Sequence, residues 1–202
     1  MRIGIFGGSF DPIHFGHLIL AETCREQARL DEVWFMPAAE PPHKRNALLS
    51  PAKDRIEMLR LAIGGHSGLQ ISTIETDRGG VSYTVETLRV LHDQQPHDEL
   101  FLLMGGDTLV DFPKWREPSE ILILATPVVV QRHGSPTPNF DVLSSIATGD
   151  QRARFAEYIV EMPVIELSST ELRERVRGSR SIRYRTPRAV EKYIEAQKLY
   201  LE

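Results

Sequence analysis

One cysteine, Cys24, stands in a chain of 202 residues. It excludes an internal disulfide and any cysteine-cluster metal site, and it fits a reducing compartment. Excess positive charge is missing too: 24 Lys and Arg face 28 Asp and Glu, a formal net charge of −4. No net-basic field exists to hold a polyanion, which argues against nucleic acid as the main ligand and leaves only a local basic patch for anions. Long apolar runs are lacking. The most apolar stretch, residues 121–130, contains Thr126 and Pro127 and falls well short of the roughly 20 residues of a membrane-spanning helix. No charged and then apolar leader precedes the strand-like residues that begin at Arg2. The expectation is a soluble, cytoplasmic protein with no membrane partner. Its composition is globular, 41% apolar and 26% charged, so a single domain over 1–202 needs no covalent staples.

Short apolar runs alternate with segments of helical period. Strands are expected at 2–6, 32–37, 69–75, 100–104, 128–131 and 158–165. Helices are expected at 12–30, 51–63, 82–94 and 119–124. A tail helix over 187–201 has Thr186 as N-cap and Pro187 in its first position. Strand–helix alternation at this spacing means βαβ units and a parallel sheet. The strands are continuously apolar, as strands buried on both faces must be. The fold class is therefore α/β, a Rossmann-like doubly wound parallel sheet of order about 3-2-1-4-5 with helices on both faces. Its ligand is expected at the carboxyl ends of strands 1 and 4. Residues 133–154, rich in Pro, Ser and Asn, read as a surface connection with room for a short helix.

The turn after the first strand is Gly7-Gly8-Ser9-Phe10-Asp11-Pro12-Ile13-His14-Phe15-Gly16-His17. Paired glycines allow close approach of a ligand. Asp11-Pro12 reads as N-cap and first helical residue, so free N–H groups and a positive dipole end would form an anion site. His14 and His17, three apart, share a helix face. Two imidazoles beside an anion site suggest phosphate ligation, since they donate hydrogen bonds and carry charge near neutral pH. Metal ligation by the pair is the weaker reading, with no Glu between them and no cysteine nearby. The fingerprints of the P-loop and of NAD-binding turns are both absent.

Four further segments suggest chemistry. Ser168-Ser169-Thr170-Glu171-Leu172-Arg173 has capping-box spacing, so a helix opens there with hydroxyls, N–H groups and Arg173 as a second anion cradle. A capped helix with solvated arginines is the plain alternative, and it suits Arg175 and Arg177. The stiff Pro41-Pro42-His43-Lys44 loop either presents a cation to a phosphate or carries a solvated charge. Ser82-Tyr83-Thr84 starts a helix. Gly105-Gly106-Asp107 closes strand 4, where backbone can approach a ribose or base and Asp107 can meet a hydroxyl or a metal. Trp115 is a stacking surface for a flat ring or a packing residue.

The string from Gly8 to His17, Gly-Ser-Phe-Asp-Pro-x-His-x-Gly-His, resembles the signature of the nucleotidyltransferase superfamily, and Ser168-Ser169-Thr170-x-x-Arg173 is similar to its second motif. With the Pro-Pro-His-Lys, Ser-Tyr-Thr and Gly-Gly-Asp segments and Trp115, the chain resembles the bacterial nicotinate mononucleotide adenylyltransferases from Gly7 into the tail helix. The resemblance implies catalytic roles for His14, His17 and Arg173. It implies an ATP site at Gly8, Ser9, Phe10, His14, His17, Gly106, Asp107, Ser168, Ser169, Thr170 and Arg173, completed by the helical part at 167–202. It implies a mononucleotide site at Ser9, His43, Lys44, Tyr83, Thr84 and Trp115. Glu40 departs from the pattern, standing where Asn is frequent before Pro-Pro. The implied reaction joins ATP and nicotinate mononucleotide into deamido-NAD and pyrophosphate, a step of NAD biosynthesis. Mg²⁺ would bridge the phosphates without a protein cage. The competing readings are another adenylyltransferase, such as one acting on pantetheine phosphate, and a non-catalytic nucleotide sensor. A tRNA-binding synthetase-like domain fits the acidic balance poorly. Homo-oligomerisation stays open.

Overall fold

The computed structural model describes residues 1–42 and 49–201. Six strands form one parallel sheet: β1 (Arg2–Gly8), β2 (Glu32–Pro37), β3 (Leu69–Ile71), β4 (Glu99–Gly105), β5 (Ala125–Arg132) and β6 (Ile159–Met162). Their order is β3-β2-β1-β4-β5-β6. The expected order holds, and β6 extends it, pairing Val130 with Val160 at the edge of β5.

The sheet is covered on both faces because its residues alternate between them. Val33, Phe35, Phe101, Leu103, Val128 and Val130 pack on one side. There they meet Ala21 and Cys24 of α1 (Phe15–Gln27), Met58 and Leu59 of α2 (Ala52–Ile63), Leu172 of α8 (Ser169–Arg177), and Val190 and Ile194 of α9 (Arg188–Gln197). Ile3, Ile5, Leu100, Leu102, Met104 and Val129 pack on the other side. They meet Val85, Leu88 and Leu91 of α4 (Thr84–Gln94), Leu109 of α5 (Gly106–Asp111), Ile121 and Leu122 of α6 (Pro118–Leu124), and Phe155 of α7 (Gly149–Ala156). Gly4 sits where the first face is tightest: a Cβ there would lie 2.7 Å from Leu30 Cδ1 and 3.0 Å from Leu103 Cδ1. β1 pairs with β2 on one side and β4 on the other, so chain order reverses between β1 and β4. A crevice opens at their carboxyl ends, the usual ligand position in such sheets.

Several expected boundaries move. The third strand stops at Ile71, and a short helix, α3 (Ile74–Arg78), takes over where the strand was expected to run to Glu75. The acidic Glu75 and Asp77 in its first turn favour that start, and the Thr73 hydroxyl, at the N-cap position, donates to the Asp77 carboxylate at 2.6 Å. The first helix begins at Phe15 rather than Pro12, with His14 as N-cap. Asp11 caps nothing, because its carboxylate accepts from Ser50 N–H at 3.0 Å and from the Tyr200 hydroxyl at 2.6 Å. Thr186 likewise is no N-cap. Its hydroxyl donates to the Ile13 carbonyl at 2.8 Å, and Pro187 occupies the cap position. Helix α4 starts at Thr84 because the Ser82 hydroxyl accepts from Ala39 N–H instead of joining a helical turn. The connection 133–154 contains a 3-10 turn (Phe140–Leu143) and the start of α7, whose capping box pairs Thr148 with Gln151.

Candidate active site

The turn that joins β1 to α1 is gripped by its carbonyls. Ser9 O accepts from Arg55 Nη1 at 3.0 Å, Asp11 O from Arg173 Nη1 at 2.7 Å, Pro12 O from Ser169 Oγ at 2.8 Å and Ile13 O from Thr186 Oγ1 at 2.8 Å. Four donors from three distant segments thus hold one turn. Phe10 takes a left-handed backbone conformation, φ 47°, and the Asp11–Pro12 peptide is cis. The Phe10 ring is buried in the core, packing edge-on against Phe6, Phe35 and His17. Of the residues expected at the nucleotide, Phe10 therefore backs the wall behind His17 and lines none of the clefts described here.

One cleft, of about 310 Å³, is lined by Ser9, His14, Gly16, His17, Arg132, Met162, Ile165, Leu167, Ser168, Ser169, Thr170 and Arg173. It brings together both sequence motifs. The rings of His14 and His17 stack with centroids 3.7 Å apart. Gly16 makes room for them, since a Cβ there would lie 3.0 Å from His14 Cε1 and Nδ1. His17 Nδ1 accepts from His14 N–H at 3.3 Å. A neutral His17 ring then carries its proton on Nε2. Both rings are neutral at pH 7: burial holds His14 down to about 4, and burial, then the neighbouring His14, holds His17 down to about 3. Burial in the free protein works against the charge expected on this pair near neutrality, and nothing in the local spacing foretells how deeply the turn is packed. The positive charge of the cleft comes from Arg173 and Arg132. Arg173 is pre-set by its bonds to Asp11 O and, at 3.2 Å, to Thr170 Oγ1. Ser168 caps α8 by accepting from Glu171 N–H at 3.1 Å, so the helix N-terminus opens into the same cleft.

A second cleft, of about 430 Å³, lies on the other side of the turn. Gly7, Gly8, Ser9, Ser82, Thr84, Gly105, Thr108, Glu75 and Trp115 line it. It continues into a narrower recess between Tyr83, Thr84, Arg116, Trp115 and Ile121. The recess walls are stiff. Trp115 packs on Phe112 with centroids 5.2 Å apart, and the Arg116 guanidinium lies 4.6 Å from the Tyr83 ring centre and pairs with Glu86 at 2.7 Å. Ser9 lines both of these clefts. Gly106 and Asp107 open α5 and face a third hollow, between α5 and residues 135–142, which Arg132 also reaches. His43 and Lys44 lie outside the described residues. Among the described residues no helix is long and apolar enough to cross a membrane, and no group of three or more His, Cys, Asp or Glu side chains is placed to hold a metal.

Arg55, Arg132, Glu75 and Tyr200 escaped the sequence reading. Arg132 carried a usable signal, a cation at the carboxyl end of the strand beside β4. Arg55 and Tyr200 matter through contacts far apart in sequence, which no motif announces, and Glu75 through its place on the second cleft.

A doubly wound sheet whose first turn divides two clefts, one of them carrying stacked histidines and a helix-borne arginine, defines a Rossmann-like nucleotidyltransferase. The family model described as Cytidylyltransferase-like matches residues 5–175. A protein of Roseiflexus sp. named "Probable nicotinate-nucleotide adenylyltransferase" is 46% identical, covering 98% of this chain and 97% of its own length. One of the same name from Rhodopirellula baltica is 42% identical over 98% and 92%. The solved Plasmodium falciparum nicotinic acid mononucleotide adenylyltransferase complexed with NaAD shares the fold, with a TM-score of 0.74 at 17% identity over 100% of this chain and 99% of that one. The chain belongs to the Cytidylyltransferase-like family and, within it, to the nicotinate-nucleotide adenylyltransferases.

Proposed function

We propose that the protein joins MgATP and nicotinate mononucleotide into deamido-NAD and pyrophosphate. The observation that carries this reading is the turn itself. Ser9 stands between a cleft built for phosphates and a cleft ending in a flat, aromatic-walled recess. ATP fits the first, with its triphosphate against His14, His17, Arg173 and the α8 N-terminus. The mononucleotide fits the second, its ring between Tyr83 and Trp115 and its phosphate directed toward Ser9.

A mononucleotide phosphate oxygen attacks the α-phosphorus in line. The bond to the α-phosphorus forms as the bridging bond to the β-phosphate breaks, and the electron pair leaves with pyrophosphate. The attacking oxygen is already anionic at pH 7, so no general base and no covalent enzyme intermediate are required. Holding the two reactants in line is worth ~7–11 kcal/mol of the barrier. His17 donates Nε2–H to the phosphates, and Arg173 receives the charge that develops on the leaving group. Magnesium carried by ATP would supply further neutralisation of phosphate charge, beside Arg173 and the α8 N-terminus.

Pyrophosphate release is the test, measured with MgATP and either nicotinate mononucleotide or nicotinamide mononucleotide. Strong preference for the nicotinate form is expected. Equal rates would mean that the recess does not read the ring substituent. No release with either would reject the acceptor, and 4′-phosphopantetheine would be the next one tried. The relatives that carry the nicotinate name support the choice of acceptor.

A further inference from the structure

Asp11 has two faces. Its carbonyl accepts from Arg173 on the phosphate side. Asp11 is 1% exposed, and its carboxylate accepts from Ser50 N–H, just ahead of α2, and from the Tyr200 hydroxyl at 2.6 Å. Arg55, 2% exposed, ties the same two strands of chain together, donating Nε–H to Ser50 O and Nη1–H to Ser9 O, both at 3.0 Å. The turn, Ser50 and Tyr200 thus meet at a single buried carboxylate.

Tyr200 reaches that carboxylate by an unusual path. α9 ends with Lys198 in a left-handed conformation, φ 53°, and Leu199 N–H returns to Ile194 O at 3.1 Å. Tyr200 itself is left-handed, φ 65°. Neither residue is glycine, so both backbones are held where side chains rarely sit. Backbone of this kind persists where surrounding contacts over-determine it. Here the contacts are the phenol on Asp11 and Met58 and the packing of Leu199 and Tyr200 against the core. Burial, then the Asp11 carboxylate, pushes that phenol upward from its ordinary range, so it remains a donor.

We propose that Tyr200 is a positioning residue for both substrate subsites: by holding the Asp11 carboxylate it fixes, from beyond α9, the turn on which ATP and the mononucleotide meet. This rests on the function proposed above. A tail bond that served stability alone could fall as well on α2 as on the turn that carries Asp11, and the structure supplies that comparison. Tyr193, on α9 itself, donates to Asp54 Oδ1 at 2.8 Å, a carboxylate on α2 and not on the turn.

The test compares Tyr200→Phe with Tyr193→Phe, each lacking one oxygen. Both are expected to melt a few degrees below wild type, as loss of one hydrogen bond implies. For Tyr200→Phe, kcat/KM falls about tenfold for MgATP and for the mononucleotide alike, the fold-change that one hydrogen bond to a charged group represents. Tyr193→Phe keeps wild-type kinetics. The proposal is overturned by wild-type kinetics in Tyr200→Phe, by equal kinetic losses in the two variants, by a loss confined to one substrate, or by a Tyr200→Phe chain that does not fold. If wild type releases no pyrophosphate, the functional reading fails separately. Titration calorimetry with MgATP then decides the inference: weaker binding in Tyr200→Phe alone supports it, and equal affinities sink it.

Discussion

In the proposed reaction His17 serves as a donor of one proton on one atom. Burial keeps the ring neutral, and the bond from His14 N–H to Nδ1 leaves Nε2 to carry the ring's proton, on a residue that lines the cleft. A fixed dipole of this kind costs no reorganisation when charge develops on the phosphates. His17→Ala should lower kcat by roughly 10²–10³ while the fold, followed by circular dichroism, is kept. An unchanged kcat would remove the ring from the mechanism. Gly16→Ala tests the same geometry without deleting a polar group. Its methyl would press at 3.0 Å on the His14 ring and unstack the pair, so activity should fall more steeply than thermal stability. In the other cleft, Trp115→Ala should raise KM for the mononucleotide and leave KM for ATP near its wild-type value. A rise confined to ATP would reverse the assignment of the two clefts. At this scale the histidines and Arg173 were legible, because each sits in a short motif whose spacing is itself the signal. Their charge state was not, because it depends on what the rest of the chain packs over them.

Elements distant in sequence converge on the turn after β1: α2 through Arg55, α8 through Arg173 and Ser169, and the approach to α9 through Thr186. The turn's carbonyls are thereby satisfied from behind, as buried carbonyls must be. Thr186 is 2% exposed, and Thr186→Val keeps its shape while stranding the Ile13 carbonyl. Unfolding in urea should show a loss of about 1–3 kcal/mol, the cost of a buried group left without its partner. A loss below a few tenths would mean that water takes over the carbonyl. Strands such as Glu32–Pro37 were readable to the residue, since a continuous apolar run bounded by polar residues has few other uses. Helix starts were not. Asp11-Pro12 and Thr186-Pro187 both have the chemistry of N-caps, and both spend it on tertiary hydrogen bonds that only the folded chain brings into reach.

The whole molecule carries a net charge of −4 and is proposed to bring two polyanions together. With both histidines neutral, the local field rests on Arg173, Arg132 and the N-terminus of α8. The same burial gives the free protein an acid weakness with a definite sign. Unfolded histidine titrates near pH 6.5, whereas in the fold His14 is held to about 4 and His17 to about 3. Below pH 6.5 the unfolded chain therefore binds protons that the folded chain refuses. The stabilisation is fully present above pH 6.5 and is lost as pH falls from there toward 4 and then 3. Each refused proton costs about 1.4 kcal/mol per pH unit. The two rings stack at 3.7 Å, so the first proton taken up by the fold opposes the second and extends the loss to lower pH. Denaturant unfolding at pH 7, 6 and 5 should show stability falling at each step, in a range where most surface carboxylates are still ionised. The double variant His14→Gln, His17→Asn should remove most of that slope. If wild type and the variant lose stability in parallel, the rings are charged in the free protein, and the cleft holds phosphate by Coulomb attraction rather than by neutral donors already in place.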